Sequence, residues 1–388
     1  MSAPPEDNAL PPGTTGVVAV DLDRLAANWR ALSNLVGPAD CAAVVKADAY
    51  GLGADRCIPA LARAGCRSFF VATTAEAMEA RRLAPDAAIY VLDGLLPGSA
   101  PALAAIGAVP VLSSLLEIRA CAEFARTTKA KPAVALHVCS GLNRLGLSAG
   151  DVEVLSLAPE QLSGLDVSLV MSHLASADAV DDPMNAAQLK AFERLRSLLP
   201  AARASLAASD GMMLGPAYHY DLARPGYALY GGQPSRTLRA PVEPVVSVYA
   251  RILQIRDVPT GASVGYSGIW RAERPSRIAT IAAGYADGVP RIATGGPVRV
   301  DGVNYPVVGR IAMDQMVIDL GPLNVSAGGR SVLGAEAVLF GNGDDGGPTA
   351  EDWARAAGTN NYEIVARISP RVPRRYINEE LPRDESRP

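Results

Sequence analysis

Lys46 ends a small apolar run, Cys41 to Val45, and precedes a turn of small residues with Tyr50, Gly51 and Gly53. The run reads as a buried strand, so it delivers an amine to a strand end. A lysine held away from water has two uses. It is paired as part of the structure, or it is kept neutral for amine chemistry such as a Schiff base. This stretch alone leaves both open. Gly141-Leu142-Asn143-Arg144-Leu145-Gly146 and Ser172-His173-Leu174-Ala175-Ser176 each follow another apolar run. Taken singly, the first is an ordinary turn with a surface arginine and the second a structural histidine. With only three histidines in the chain, one at such a position carries more weight. Ala223-Arg224-Pro225-Gly226-Tyr227 is sharper. Its arginine, proline and glycine fix a loop whose backbone N–H groups could grip an anion, and Ser209-Asp210-Gly211 supplies a hydroxyl beside it. Later, Tyr266 and Tyr285 stand among glycines. Arg310 and Asp314 interrupt an apolar run that holds Met313, and Tyr362 follows Asn360-Asn361. Charged groups inside an apolar run are costly unless partnered or functional.

The elements that must carry these residues are legible as alternation. Val17 to Leu22 reads as a strand. Asp23 then caps a helix whose Leu25, Trp29, Leu32 and Leu35 recur at helical spacing. After the lysine run, apolar segments recur at Ser68–Ala72, Ala88–Leu92, Val109–Leu112, Ala133–Val138, Val167–Ser172, Ala204–Ala208 and Ala223–Tyr230. Helix-like segments lie between them, one opened by Thr73 and Glu76 at capping-box spacing. Counting the lysine run first, eight strands alternate with helices. The fold class is therefore α/β, with an N-terminal (β/α)8 TIM-type barrel. Active sites of that fold sit at the C-terminal strand ends, where Lys46 falls, and the loops after the last two strands often hold phosphate. From Val245 onward the texture changes to β-branched runs broken by Gly and Pro: Val246–Ile255, Ile278–Ala282, Val298–Val300, Val307–Ile311, Met316–Leu320 and Ala337–Phe340. This predicts a C-terminal mainly antiparallel β-domain, with helices capped by Thr349 and starting near Asn360. The expected organisation is a flexible segment over 1–14, the barrel over 15–240, the β-domain over 241–378 and a tail over 379–388.

Composition narrows the class. Of 388 residues, 49% are hydrophobic and 20% charged, which suits packed domains rather than disorder. A net charge of −4 provides no basic field for nucleic acid or an anionic membrane. Five cysteines at irregular spacing form neither a disulfide framework nor a zinc pattern, so no metal is expected and a reducing, cytoplasmic compartment is. The N-terminus shows no signal-peptide pattern, and no apolar stretch reaches the ~20 residues of a membrane helix.

Together, and in this order, these motifs resemble the alanine racemases, pyridoxal-phosphate enzymes of fold type III. The resemblance runs from about Val17 to Ile377, and the lysine stretch and Gly284-Tyr285-Ala286-Asp287-Gly288 are its most specific parts. It implies a pyridoxal 5'-phosphate cofactor held by Lys46. Tyr50, Ser209, Gly226, Tyr227 and Tyr362 match positions around its phosphate. Arg224 matches the arginine facing the pyridine nitrogen, with His173 its neighbour, and Arg144 matches the arginine near the phenolic oxygen and the substrate. Tyr266 matches a second catalytic base, supplied by the partner subunit of a homodimer. Met313 matches the position whose backbone N–H meets the substrate carboxylate. Asp178, Tyr285, Arg291 and Arg310 match positions lining the substrate's way in. The implied activity is interconversion of L- and D-alanine, a small-molecule amino-acid substrate, by two bases, Lys46 and Tyr266. One base cannot reach both faces of a planar carbon. A tyrosine of ordinary pKa ~10 is ionised about once in a thousand molecules at neutral pH, so cationic neighbours such as Arg310 must assist it.

The chain departs from the family at His137 and Cys139, where many members carry a lysine, often carbamylated, and an aspartate. A histidine cannot carry that carbamate, so none is expected, and a carboxylate partner for Arg144 must come from elsewhere. Cys139 reads as a strand thiol, and Ala312 stands where a cysteine is common. The alternatives are a broader-range serine and alanine racemase, a basic amino-acid decarboxylase and a non-catalytic pyridoxal-phosphate carrier. The decarboxylase needs a cysteine in its β-domain, and none follows Cys139; the carrier has no second domain.

Overall fold

The computed structural model describes residues 10–235, 237–323, 334–343 and 346–378. The expected tail and residues 1–9 of the expected N-terminal segment lie outside the described residues. In chain order the elements are β1 (Gly16–Asp21), α1 (Leu22–Val36), β2 (Asp40–Cys41), β3 (Ala43–Val44), α2 (Lys46–Gly51), α3 (Ala54–Ala64), β4 (Ser68–Val71), α4 (Thr74–Leu83), β5 (Ala88–Val91), α5 (Ala100–Ala105), β6 (Val109–Leu112), α6 (Leu115–Thr128), β7 (Ala133–His137), α7 (Ala149–Leu157), β8 (Asp166–Met171), α8 (Pro183–Arg196), β9 (Arg203–Ser205) and β10 (Leu222–Ala223). There follow β11 (Val246–Val258), β12 (Ser263–Val264), β13 (Trp270–Arg271), β14 (Ser276–Ile281), β15 (Pro297–Val300), β16 (Val303–Val308), β17 (Met316–Pro322), β18 (Glu336–Phe340), α9 (Ala350–Ala357), α10 (Asn361–Ala366) and β19 (Arg374–Ile377).

The chain divides into two compact units. In the first to be described, Leu25–Ala49 with Ala54–Val242, seven parallel strands run in the order β3-β4-β5-β6-β7-β8-β9. Their residues are mostly buried, as in parallel strands covered on both faces, with the more accessible ones at the N-terminal strand ends. β10 closes the curl. It pairs with β2, bridges the chain after β9 through Ala208 and Arg224, and accepts the Ala42 N–H on Ala223 O at 2.9 Å. The lysine run is thus one barrel position in two short pieces, since β2 pairs with β10 and β3 with β4. The expected strand over Ala223–Tyr230 stops at Ala223. Pro225 has no N–H to continue a ladder, and Tyr227–Tyr230 turns into a 3-10 helix.

The other unit contains the described residues up to Arg24, Tyr50–Gly53, and those from Glu243. Strands β14-β17-β16-β15-β18-β11 close into a ring because β11 also pairs with β14. The first half of the long β11 pairs with β1, which lies parallel to β19. Residues 15–24, expected with the barrel, therefore belong to this β-unit. A strand's partner far along the chain cannot be read from its own apolar run. Asp21, not Asp23, caps α1, its Oδ1 accepting the Arg24 N–H at 3.0 Å. Leu35 is exposed on that helix while Val36 is buried. Thr349 and Asn360 cap α9 and α10 as expected, accepting the N–H groups of Asp352 and Glu363.

Candidate active site

In the barrel unit, Lys46 follows β3 at its C-terminal end and is half-buried. The turn after it is left-handed: Ala47, Asp48, Ala49 and Tyr50 have φ of 53, 55, 52 and 57°. That region disfavours residues with a Cβ by about 1–2 kcal/mol each, so four in succession need external support. Ala47 N–H donates to Glu76 Oε1 at 2.8 Å, Ala49 N–H to Val45 O at 2.9 Å, and Ala54 N–H to Asp48 Oδ1 at 2.7 Å. Burial, then the Arg144 guanidinium, lowers the Lys46 ammonium below the usual lysine range, with Asp93 and Glu76 opposing.

Arg224 follows β10 and is buried. Its Nη1 donates to Ser205 Oγ and its Nη2 to Ser172 O at 2.6 Å, and the guanidinium lies 5.8 Å from the Phe70 ring centre. Burial pulls it down to about 9, so it remains charged at neutral pH. No carboxylate is described on it. His173 is held down to about 3 by burial, then Arg224 and Arg144; His137, buried at the end of β7, is held to about 4 by the same three causes. Both rings are therefore neutral. His137 Nδ1 lies 3.5 Å from Ser113 Oγ. Arg144 is exposed in the loop after β7, and no described carboxylate pairs with it. Cys139 Sγ accepts the Asn143 N–H at 3.3 Å in the same loop, a structural contact. The structure thus gathers Lys46, Arg144, His173 and Arg224, with His137 among them.

The Ser209 hydroxyl accepts two backbone N–H groups, from Gly226 at 3.0 Å and Ala228 at 3.1 Å. These donors on the Arg224 loop, expected to face an anion, are directed at the buried Ser209 oxygen, which ties the Ser209 and Arg224 loops together. The Tyr227 ring packs on Gly232, where a Cβ would come within 1.8 Å of it. Asp178 lies in the loop after β8.

In the β-unit, Tyr266 is 66% and Met313 53% exposed. Gly265 (φ +75°) and Gly309 (φ +70°) let two turns touch backbone to backbone: a Cβ on Gly309 would lie 2.7 Å from Val264 O, and one on Gly265 3.2 Å from Arg310 N. This contact brings the Arg310 turn against the Tyr266 turn. Gly284 similarly lies so near Met313 O that no side chain fits, and Tyr285 and Ala286 N–H groups donate to Ala312 O and Met313 O at 3.0 and 2.9 Å. Arg291 is exposed, and Tyr362 lies in the first turn of α10. Tyr50 falls with this unit, where Arg374 Nη2 donates to Gly51 O at 2.8 Å and the Tyr376 hydroxyl to Leu52 O at 3.0 Å.

Sequence reasoning missed Glu76, Ser205 and Ser172 as supports. Only Glu76 had a signal, its place at the third position of a capping box directly after a strand.

Comparison with known proteins bears on the whole chain. Residues 20–234 match the family described as alanine racemase, N-terminal domain, and residues 245–376 match alanine racemase, C-terminal domain. The alanine racemase of Methylobacterium sp. (strain 4-46) is 46% identical over 363 residues, 93% of this chain and 97% of that one. A catabolic alanine racemase of Rhizobium johnstonii is 43% identical over 94% of this chain and 95% of its own. Among solved structures, the Bartonella henselae alanine racemase with covalently bound pyridoxal phosphate superposes with a TM-score of 0.88 at 35% identity, covering 94% of this chain and all of that one. The Streptomyces coelicolor alanine racemase also reaches 0.88, at 38% identity over 94% and 98% of the two chains.

Proposed function

The chain belongs to the alanine racemase family, and from that membership we propose which of its residues carry each part of the reaction. It interconverts L- and D-alanine with pyridoxal phosphate as cofactor. The residues present fit that cofactor. Arg224 engages Ser205 and Ser172 with two of the five N–H donors of a guanidinium, which leaves donors for a neutral ring nitrogen. The Ser209 hydroxyl, which accepts from the Gly226 and Ala228 N–H groups, keeps its own O–H to donate to a phosphate oxygen.

Pyridoxal phosphate, when bound, supplies an electron-withdrawing ring that makes the α-proton of an attached amino acid removable. Lys46 would hold it through the ε-amine, Ser209, Gly226 and Tyr227 would serve its phosphate, and Arg144 its phenolic oxygen. Tyr50 and Tyr362 would serve the phosphate as well. Arg224 has no acceptor and keeps its proton, so it would offer the ring nitrogen a hydrogen bond rather than a proton, with His173 supporting that side. Lys46 would move a proton on one face of the substrate's α-carbon, and Tyr266 on the other. The Met313 N–H and Arg144 hold the substrate carboxylate. Asp178, Tyr285, Arg291 and Arg310 line the way in.

Tyr266 and Met313 come from a second copy in a homodimer; their exposure in the single chain supports this. The cytoplasm is the compartment, supported by five cysteines that are all free thiols.

The observation that carries the assignment is Lys46 itself: a half-buried amine at a barrel strand's end, depressed by burial and Arg144 and held in a left-handed turn. Borohydride reduction of the holoenzyme, then digestion and mass analysis, should find the pyridoxyl group on Lys46. Its attachment to any other residue would refute the assignment.

A further inference from the structure

Arg371, in the β-unit, ties together the two turns that carry Met313 and Tyr285. Its Nε donates to Asp287 Oδ1 at 2.6 Å and its Nη2 to Asp314 Oδ1 at 2.8 Å. Asp287 Oδ2 in turn accepts the Gly284 N–H at 2.8 Å. The Tyr285 loop and the Met313 turn are fused on one side by the two backbone bonds to Ala312 O and Met313 O. On the other side the described side-chain link is this guanidinium. Both aspartates raise its already high pKa, so it is charged at any working pH.

Without the guanidinium, Asp287 and Asp314 would face each other as like charges, and Asp287 is only 15% exposed on its side chain. The Met313 N–H donates to no described group. A backbone donor is only as well aimed as its turn, and the Asp314 carboxylate is one residue away. We propose that Arg371 is a positioning residue for the substrate carboxylate: it fixes the Met313 peptide and neutralises Asp314, which would otherwise repel that carboxylate. The proposal rests on the reading of Met313 given above.

The test uses the holoenzyme, with KM and kcat for both alanine enantiomers and calorimetric binding of propionate as a carboxylate probe. Arg371→Gln should raise KM and the propionate Kd about tenfold with kcat within about threefold, the pattern of lost ground-state binding. Arg371→Lys, which keeps the charge and loses the fork, should fall between parent and Arg371→Gln. Adding Asp314→Asn to Arg371→Gln should return KM part of the way, which a merely structural role would not do. Unchanged KM and propionate Kd in Arg371→Gln, or in Arg371→Lys should the first variant not fold, would overturn the proposal. So would a fall in kcat alone. Met313→Pro separates the two layers, since it removes the N–H. If it leaves propionate binding unchanged, the reading of Met313 fails. If it weakens binding while both Arg371 variants do not, the Arg371 proposal alone fails.

Discussion

Glu76 Oε1 accepts the backbone N–H of Ala47, the residue after Lys46, at 2.8 Å, while Oε2 accepts Ala72 N–H at 2.7 Å and Thr73 N–H at 3.3 Å. One carboxylate thus closes the end of β4, caps α4 and braces the left-handed turn that presents Lys46. Glu76→Ala removes all three supports and should destabilise the cofactor-free protein by about 1–3 kcal/mol. It should also weaken retention of pyridoxal phosphate, since the strained turn relaxes. Glu76→Gln keeps an acceptor for Ala47 but presents a donor to Ala72 and Thr73, so its stability loss should be smaller and retention nearer the parent's. Thermal unfolding and cofactor titration check both, and unchanged retention in Glu76→Ala would detach this brace from Lys46.

Arg144 acts on Lys46 at a distance. Burial is the larger cause of the lowered lysine pKa and Arg144 the second. Replacing Arg144 with Met should therefore move the pH profile of Lys46 labelling in the cofactor-free protein towards higher pH, without restoring an ordinary lysine. Amine-reactive labelling followed by mass analysis reads the profile, and an unmoved midpoint would contradict the coupling.

His137 links the site to acid stability. Burial, with Arg224 and Arg144, holds its pKa to about 4 against an ordinary 6.5. Between these values the unfolded chain binds a proton that the folded chain does not. Its contribution is whole above about 6.5 and is lost as pH falls towards about 4. The cofactor-free parent should lose about 2 kcal/mol between pH 7 and pH 5 from this group, and His137→Asn should lose less by that amount. Urea unfolding at the two pH values makes the comparison, and an equal loss in both proteins would mean His137 is not held neutral.

The same residue forecloses a carbamate. A neutral imidazole stands where many relatives of the resembled family carry a modified lysine, and no described carboxylate pairs with Arg144. Intact-protein mass should show no carbon dioxide adduct, and added bicarbonate should leave activity unchanged. A carbamylated lysine beside Arg144 would contradict this.

Much of the fold was legible because buried parallel strands read as continuous apolar runs: β4, β5, β6, β7 and β8 fall within a residue of the expected runs. Pairing was not. β1 joins β11, more than two hundred residues away, and nothing in Gly16–Asp21 says so. The left-handed turn was hidden as well. Ala47, Asp48, Ala49 and Tyr50 carry no strong preference for it, and the forces that hold it come from Glu76 and Asp48. The site was legible where residue type dictates chemistry, as at Lys46 and Arg224. It was illegible where long-range hydrogen bonds do the work, as between Arg371 and Asp287, 84 residues apart.

The central claim is that an amine and a phenol serve opposite faces of one carbon. It is tested most directly by α-hydrogen wash-out in heavy water, with each alanine enantiomer in turn, comparing the parent with Tyr266→Phe. The account predicts that the variant still exchanges the α-hydrogen of one enantiomer, through Lys46, and nearly stops exchanging that of the other. Parent-like exchange from both enantiomers would contradict it.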